Sequence, residues 1–482
     1  MTSMRRAIFL AVAVLAMLLT TATSASAALR HYKLRFGPIK LSGYQVRQNS
    51  DQVETPKVDG YIVRMRAHVV DKRGRDIPIQ RVMLHHVLFT NLGSRDGQLH
   101  DGACPGVPRE RFYGTGEEHQ TMYFPPGYGV PVRKKDRWQA AWMLMNHQRR
   151  NDIGYIQYDV TVETGRKLTP VKAYWLDVTG CHGHVYYNVP GGDAPGSTHS
   201  QTVTWRPPFK GRLIAGGAHL HGGAESMKLY QERCTDRLIF ASKPLYGLPS
   251  DPVYHVRPVL HEPGPINTSW FTTPTGIPVQ KGEPIRVSGD YDAERPHTKV
   301  MAVMHVYMAK DPRASQSCDP LPADLRNANL NAPGRWQAPV IEIPLTGYGP
   351  GGRAVTIDRP PGPTSVFAGS TKVTVHNFAF SLPNLSIPQG ASITWRFPDT
   401  VAHDVTMASG PFAFSSPFSR IGRTYTQQFE RPGTYKLFCS LHPVVMHEVV
   451  DVRTPDQAAP PAKAARRTGA GGTSAGQPLI HW

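Results

Sequence analysis

Residues 435–450 read YKLFCSLHPVVMHEVV and set Cys439, His442 and Met446 within one turn at the end of an apolar run. A thiolate, two imidazoles and a weak axial thioether form the ligand set of a one-electron copper site. These ligands suit both oxidation states of the metal, so little rearranges when an electron moves. The second imidazole is at hand upstream in AHDVTM, residues 402–407, as His403. Around these ligands, KVTVHNFAFSLPNLSIPQGASITWRF (372–397) gives two strands about a Pro-Gln-Gly turn, and GTYKLFCSLHPVVMHEVVDV (433–452) closes with two more. Residues 369–453 are therefore expected to form one compact strand-rich unit.

Over its whole length this unit resembles the plastocyanin-like blue copper proteins, or cupredoxins. The resemblance implies a Greek-key β-sandwich holding one blue copper through His403, Cys439, His442 and Met446. The interval from His442 to Met446 differs by one residue from that of several family members.

A blue copper only passes electrons on, so the earlier residues must be asked what they want them for. At 482 residues the chain predicts about three domains at ~150 residues each. Forty-four glycines and 44 prolines, with mostly short apolar runs, point to many strands and turns and an all-β protein. The Gly/Pro-rich NVPGGDAPGS (188–197) marks a boundary, giving units at 28–197 and 198–318. Residues 319–368 read as a Pro/Gly-rich linker with one short strand, PVIEIPL (339–345). The tail from Thr454 is low-complexity and is expected to be disordered.

Residues 1–27 combine a basic start, an apolar run and an Ala25-Ser26-Ala27 ending, as a signal peptide does. Export to the extracellular space, periplasm or cell envelope is expected; Arg5-Arg6 leaves both the general secretory and twin-arginine routes open. Loss of this leader lowers the formal charge from +18 to +16. Such a balance fits contact with anionic envelope polymers or a generally basic surface, and no nucleic-acid module is evident. With Cys439 given to metal, four cysteines remain for disulfides. Of three possible pairings, Cys104 with Cys181 and Cys234 with Cys318 keep each bond inside one unit.

Histidines are placed unevenly. VMLHHVLFTN (82–91) sets His85 beside His86 in an apolar strand, and only an irregular strand or different ring nitrogens would bring both to one metal. DRWQAAWMLMNHQ (136–148) ends a strand on His147. GGAHLHGGAESMKLY (216–230) offers His219 and His221 on one strand face, flanked by glycines. HTKVMAVMHVYMA (297–309) reads as one strand with His297, Met301 and His305 on a common face.

This order resembles the copper type II, ascorbate-dependent monooxygenases that hydroxylate peptidylglycine and dopamine, over residues 30–312. The resemblance implies two jelly-roll-like β-sandwich domains, each holding one copper across a solvent cleft. His85, His86 and His147 would then hold an electron-storing copper, and His219, His221 and Met301 the copper that binds dioxygen, with His297 and His305 as rival third ligands. It also implies insertion of one oxygen atom into a C–H bond of a small-molecule or peptide substrate. The blue-copper unit would relay electrons from an external donor, a small reductant or a redox protein. Peptide-acting members carry an arginine two residues before His-x-His to hold the substrate carboxylate; Gly217 stands here.

Two other classes bear on this pattern. A multicopper oxidase would need several further His-x-His elements, one of them flanking the copper cysteine, whereas Cys439 lies between Phe438 and Ser440. His182 and His184 read as a surface loop. A non-catalytic copper-binding or electron-transfer protein, with the first two domains as scaffold, is the alternative function.

Overall fold

The computed structural model describes residues 27–93, 109–180, 185–328 and 338–457. Residues 1–26 of the expected leader, Cys104, Cys181, His182, His184 and the tail from residue 458 lie outside the described residues. The described chain is almost entirely strand, in agreement with the all-β expectation.

The first sandwich packs a four-stranded sheet, Val46–Val53, Trp138–Asn146, Val82–Asn91 and Glu110–Gly116, against part of a ten-stranded one. The period-2 rule decides which residues face inward. In Trp138–Asn146, the side chains of Trp138, Ala140, Trp142 and Leu144 enter the first core, while Met143 and Met145 join the cluster that contains the C-terminal core. The second sandwich covers the other part of the large sheet with Thr198–Trp205, Ile285–Asp292, Ala224–Gln231 and Arg237–Ser242, around Leu229, Phe271 and Val287.

The two sandwiches share a sheet rather than facing each other as separate bodies. Thr169–Asp177 pairs antiparallel with Ala302–Lys310, from Val171 opposite Ala309 to Asp177 opposite Val303. Each sandwich keeps its own core, but ladder hydrogen bonds run from one to the other. The expected single strand over 297–309 is broken into His297–Val300 and Ala302–Lys310, with Lys299 at φ +53° just before the break. A lysine there is held in the left-handed region that disfavours side chains.

The stretch PVIEIPL forms no strand. Pro339 and Pro344 remove two backbone donors from it. It instead delivers Ile343 and Leu345 onto Phe438 and Val449, and a short hairpin, Thr346–Tyr348 with Ala354–Thr356, follows. Cys234 and Cys318 are bonded, closing the second unit across a sequence separation of 84. The C-terminal domain packs a five-stranded against a four-stranded sheet around the fully buried Trp395.

Candidate metal centres

In the C-terminal domain, Cys439 follows the strand Gly433–Phe438 and is fully buried. The turn after it is held by backbone bonds from His442 N to Cys439 O (3.0 Å), Met446 N to His442 O (3.1 Å) and Cys439 N to Met446 O (3.1 Å). This brings His442 Nδ1 to 3.4 Å from Cys439 Sγ. His403 arrives from the facing loop, its ring centroid 5.0 Å from that of His442. Its Nε2 donates to Asp399 Oδ2 at 3.1 Å, which leaves Nδ1 buried without a partner. Met446 is fully buried in the same core.

The electrostatics call for a cation. Burial, then the nearby Asp404 carboxylate, pushes the Cys439 thiol well above its ordinary pKa, so the thiolate needs a positive charge to form. Burial and His403 push His442 down to about 4, keeping its imidazole neutral and its lone pair free. A buried thiol, an orphaned imidazole nitrogen and a neutral second imidazole fit a copper ion.

A second cluster lies between the sandwiches. Register slips between Leu84 and His86 against Asn146–Trp138, and this bulge supplies the irregularity that an adjacent pair requires. His85 Nδ1 and His86 Nδ1 lie 3.0 Å apart. The ring of His85 is 5.1 Å from that of His221, which is 5.1 Å from that of His219. The two histidine pairs therefore meet in one cluster, where the sequence reading had two sites separated by a cleft.

The second pair has the form of anchored ligands. His219 Nδ1 donates to Glu118 Oε2 at 3.1 Å and His221 Nδ1 to the Lys299 carbonyl at 2.9 Å, leaving both Nε2 atoms buried and unpartnered. Fixing one ring nitrogen and freeing the other is how proteins orient metal-binding histidines. Burial, then neighbouring imidazoles, holds His85 and His221 well below their ordinary values, and His86 is down to about 4. Burial also pushes His219 down, but the Glu118 charge and hydrogen bond overcome it and raise the group.

The other expected residues divide. Met301 packs on Trp175 and Val303 and lines the cavity at the cluster, as does His305, whose ring stands edge-on to Trp175 at 4.8 Å. His297 is turned away onto Glu262 Oε2 at 2.7 Å and does not line that cavity. His147 donates from Nδ1 to Pro258 O at 3.2 Å and also lies off the cavity. Three residues absent from the sequence reading stand at the cluster instead: Glu117, Glu118 and His261. Their signals were a Glu-Glu pair after Gly116 and the His-Glu of VLHEPGP (259–265), neither of which has metal-ligand spacing by itself.

The cavity measures about 320 Å³, and the C-terminal domain supplies part of its wall through Thr406, Phe418, Phe438 and Ser440. Lys299 spans the junction. Its carbonyl holds His221, while its ammonium pairs with Asp404 and lies 4.1 Å over the Phe418 ring. Asp404 N in turn donates to Cys439 Sγ at 3.5 Å. A chain of three contacts thus joins the cysteine to the histidine cluster.

The family described as copper binding proteins, plastocyanin/azurin family, matches residues 367–453, and the one described as stress up-regulated Nod 19 matches residues 135–311. Amicyanin-alpha of Methylorubrum extorquens is 35% identical over 86 residues, covering 17% of this chain and 72% of that protein. Among solved structures, a purple cupredoxin from Nitrosopumilus maritimus is 30% identical, covering 17% of this chain and 98% of its own at a TM-score of 0.16. A reduced copper(I) form of an amicyanin mutant is 26% identical, covering 18% and 90% at a TM-score of 0.17.

Proposed function

This chain belongs, through residues 367–453, to the plastocyanin/azurin family of copper-binding proteins, and we propose, from the histidine cluster that its copper-binding domain walls, that it is an exported copper-dependent monooxygenase. In this reading the C-terminal domain hands single electrons to copper in the histidine cluster. The observation that carries it is the shared wall: Phe438 and Ser440, either side of Cys439, line the cavity that His85 and His221 also line. Export rests on the leader-like residues 1–27 and agrees with the Cys234–Cys318 bond, since disulfides persist in oxidising compartments.

Copper would supply one-electron redox chemistry in both places, and at the cluster a soft thioether favours the reduced state that meets dioxygen. The Nε2 atoms of His219 and His221, with Met301, would hold that copper; His85 and His86 would hold the electron-storing one. Glu118 and the Lys299 carbonyl keep the two Nε2 lone pairs aimed inward. Hydroxylation takes a C–H bond, dioxygen, two electrons and two protons to an alcohol and water. The electrons would enter singly from an external small reductant or redox protein.

Gly217 bears on substrate choice. The Trp270 ring lies directly where a side chain at 217 would begin, so no arginine fits there to hold a carboxylate. Val87, Leu88, Met143 and Trp175 line the cavity, which suits an apolar substrate without that anchor.

The test is to reduce the full chain anaerobically, mix it with dioxygen and count copper. Two non-blue coppers beside one blue, with reoxidation faster than that of a lone cupredoxin, are expected. Cys439→Ser is expected to lose the blue absorption and turnover driven by a protein donor while keeping the non-blue copper. One copper per chain and slow reoxidation would instead leave an electron carrier on a metal-free scaffold.

A further inference from the structure

We propose that His261, oriented by Glu117, is a metal ligand beside His85, so that this centre draws its imidazoles from both sandwiches. It takes the place given by the sequence resemblance to His147. The inference rests on reading the cluster as a copper centre and assigns a ligand that the reading itself does not need.

Three observations converge. Candidate ligand atoms of His85, Glu117 and His261 all lie within 4.8 Å of one another, and the rings of His85 and His261 are 5.0 Å apart. His85 Nδ1 and His86 Nδ1, 3.0 Å apart, have the separation of two nitrogens each about 2 Å from one ion and nearly at right angles. His261 then approaches His85 from the loop between Pro252–His255 and Asn267–Thr268 of the second sandwich.

Glu117 has the bearing of a positioning residue. Its Oε1 accepts from His261 Nε2 at 2.5 Å, and its Oε2 accepts from Gly264 N at 3.1 Å, so the carboxylate is fixed at both ends. That bond commits His261 Nε2 as the donor and leaves Nδ1 as the nitrogen with a lone pair to give. A carboxylate–histidine pair of this kind sets both the tautomer and the ring orientation of a metal ligand. His147 also has Nδ1 bonded to Pro258 O and Nε2 buried and free, but it lines no part of the cavity and does not belong to the group that His85, Glu117 and His261 form. Imidazole ligands suit copper, and zinc as a competitor, better than calcium or magnesium.

The full-length chain, stripped with chelator and reloaded with copper alone, distinguishes the two ligand sets. Copper per chain, copper affinity and the paramagnetic resonance of the non-blue copper are read together, with the blue absorption as the check on folding. His261→Ala is expected to lose one non-blue copper, or to bind it at least about 100-fold more weakly, and His147→Ala to keep it. Glu117→Gln is expected to keep the copper at about 10- to 100-fold lower affinity with a shifted resonance. Should His261→Ala disturb the blue absorption, His261→Gln carries the same test with less loss of volume. Wild-type copper count, affinity and resonance in the folded His261 variants would overturn the proposal. One blue copper alone in the wild-type chain would instead remove the copper reading of the cluster, a distinguishable failure.

Discussion

Replacing Lys299 with Met keeps most of the side chain's length and removes its charge, which isolates the ion pair across the domain junction. The Lys299 side chain is 14% exposed and its partner Asp404 0%. Asp404 also accepts from Ser440 N (2.6 Å), Ser440 Oγ (2.6 Å) and Thr406 Oγ1 (2.8 Å). Burial pushes this carboxyl up, but the Lys299 charge and these donors more than offset it and hold it below the usual carboxylate range. Without the ammonium, a carboxylate stays buried and uncompensated, which destabilises a fold by about 3–5 kcal/mol. Asp404→Asn in addition to Lys299→Met removes the stranded charge. The double variant is therefore expected to lose less than the sum of the singles, by about 1–3 kcal/mol. Denaturant unfolding followed by the blue absorption reads this directly. Electron transfer from the blue copper to the cluster, timed after rapid reduction, should slow in both Lys299 variants, because both lose the ion pair with Asp404 that fixes the backbone whose carbonyl holds His221. An unchanged unfolding midpoint for Lys299→Met, or strict additivity in the double variant, would refute the claim that this pair ties the domains together.

Other perturbations address single contacts. Gly116→Ala would place a Cβ 2.5 Å from His85 O and 2.7 Å from His219 Cε1, so copper titration should show weakened binding at the cluster with the blue site intact. Breaking Cys234–Cys318 by a double Cys→Ala change frees a loop of 84 residues, and chain entropy sets the loss at about 4–5 kcal/mol, measurable as a lower unfolding midpoint. Asp177 is fully buried, and desolvation raises its carboxyl from 3.8 to about 6. The folded chain therefore holds a proton that the unfolded chain has lost between those values. This contribution to stability is complete below the lower value and falls away as pH rises through the higher one, by about 3 kcal/mol in total. Asp177→Asn should flatten that part of the stability–pH curve, and an unaltered slope would show that the group ionises as freely in the folded chain.

Legibility in the sequence followed the range of the interactions. The candidate blue-copper cluster was readable because Cys439, His442 and Met446 come from one turn, whose own backbone bonds draw it together. The strand that ends before His147 was likewise readable, since an apolar run is a local property of the chain. His85 and His86 needed an irregular strand to act together, and the bulge at Leu84/His86 supplies it. The sharing of a sheet between Thr169–Asp177 and Ala302–Lys310 left no such mark, because either strand would look the same at a free edge. His261 and Glu117 were hidden for the same reason: they meet across 144 positions, and neither belongs to a periodic element. Lys299 is the sharpest case. In the sequence it is one more polar residue in an apolar strand, yet it breaks that strand at positive φ, holds His221 with its carbonyl and Asp404 with its ammonium. A residue strained in its own backbone and paired at both ends is retained by the contacts it makes with two domains at once. The contact between the copper-binding domain and the histidine cluster is therefore a property of their junction, and, on the proposed function, substitution there should separate electron delivery from metal binding.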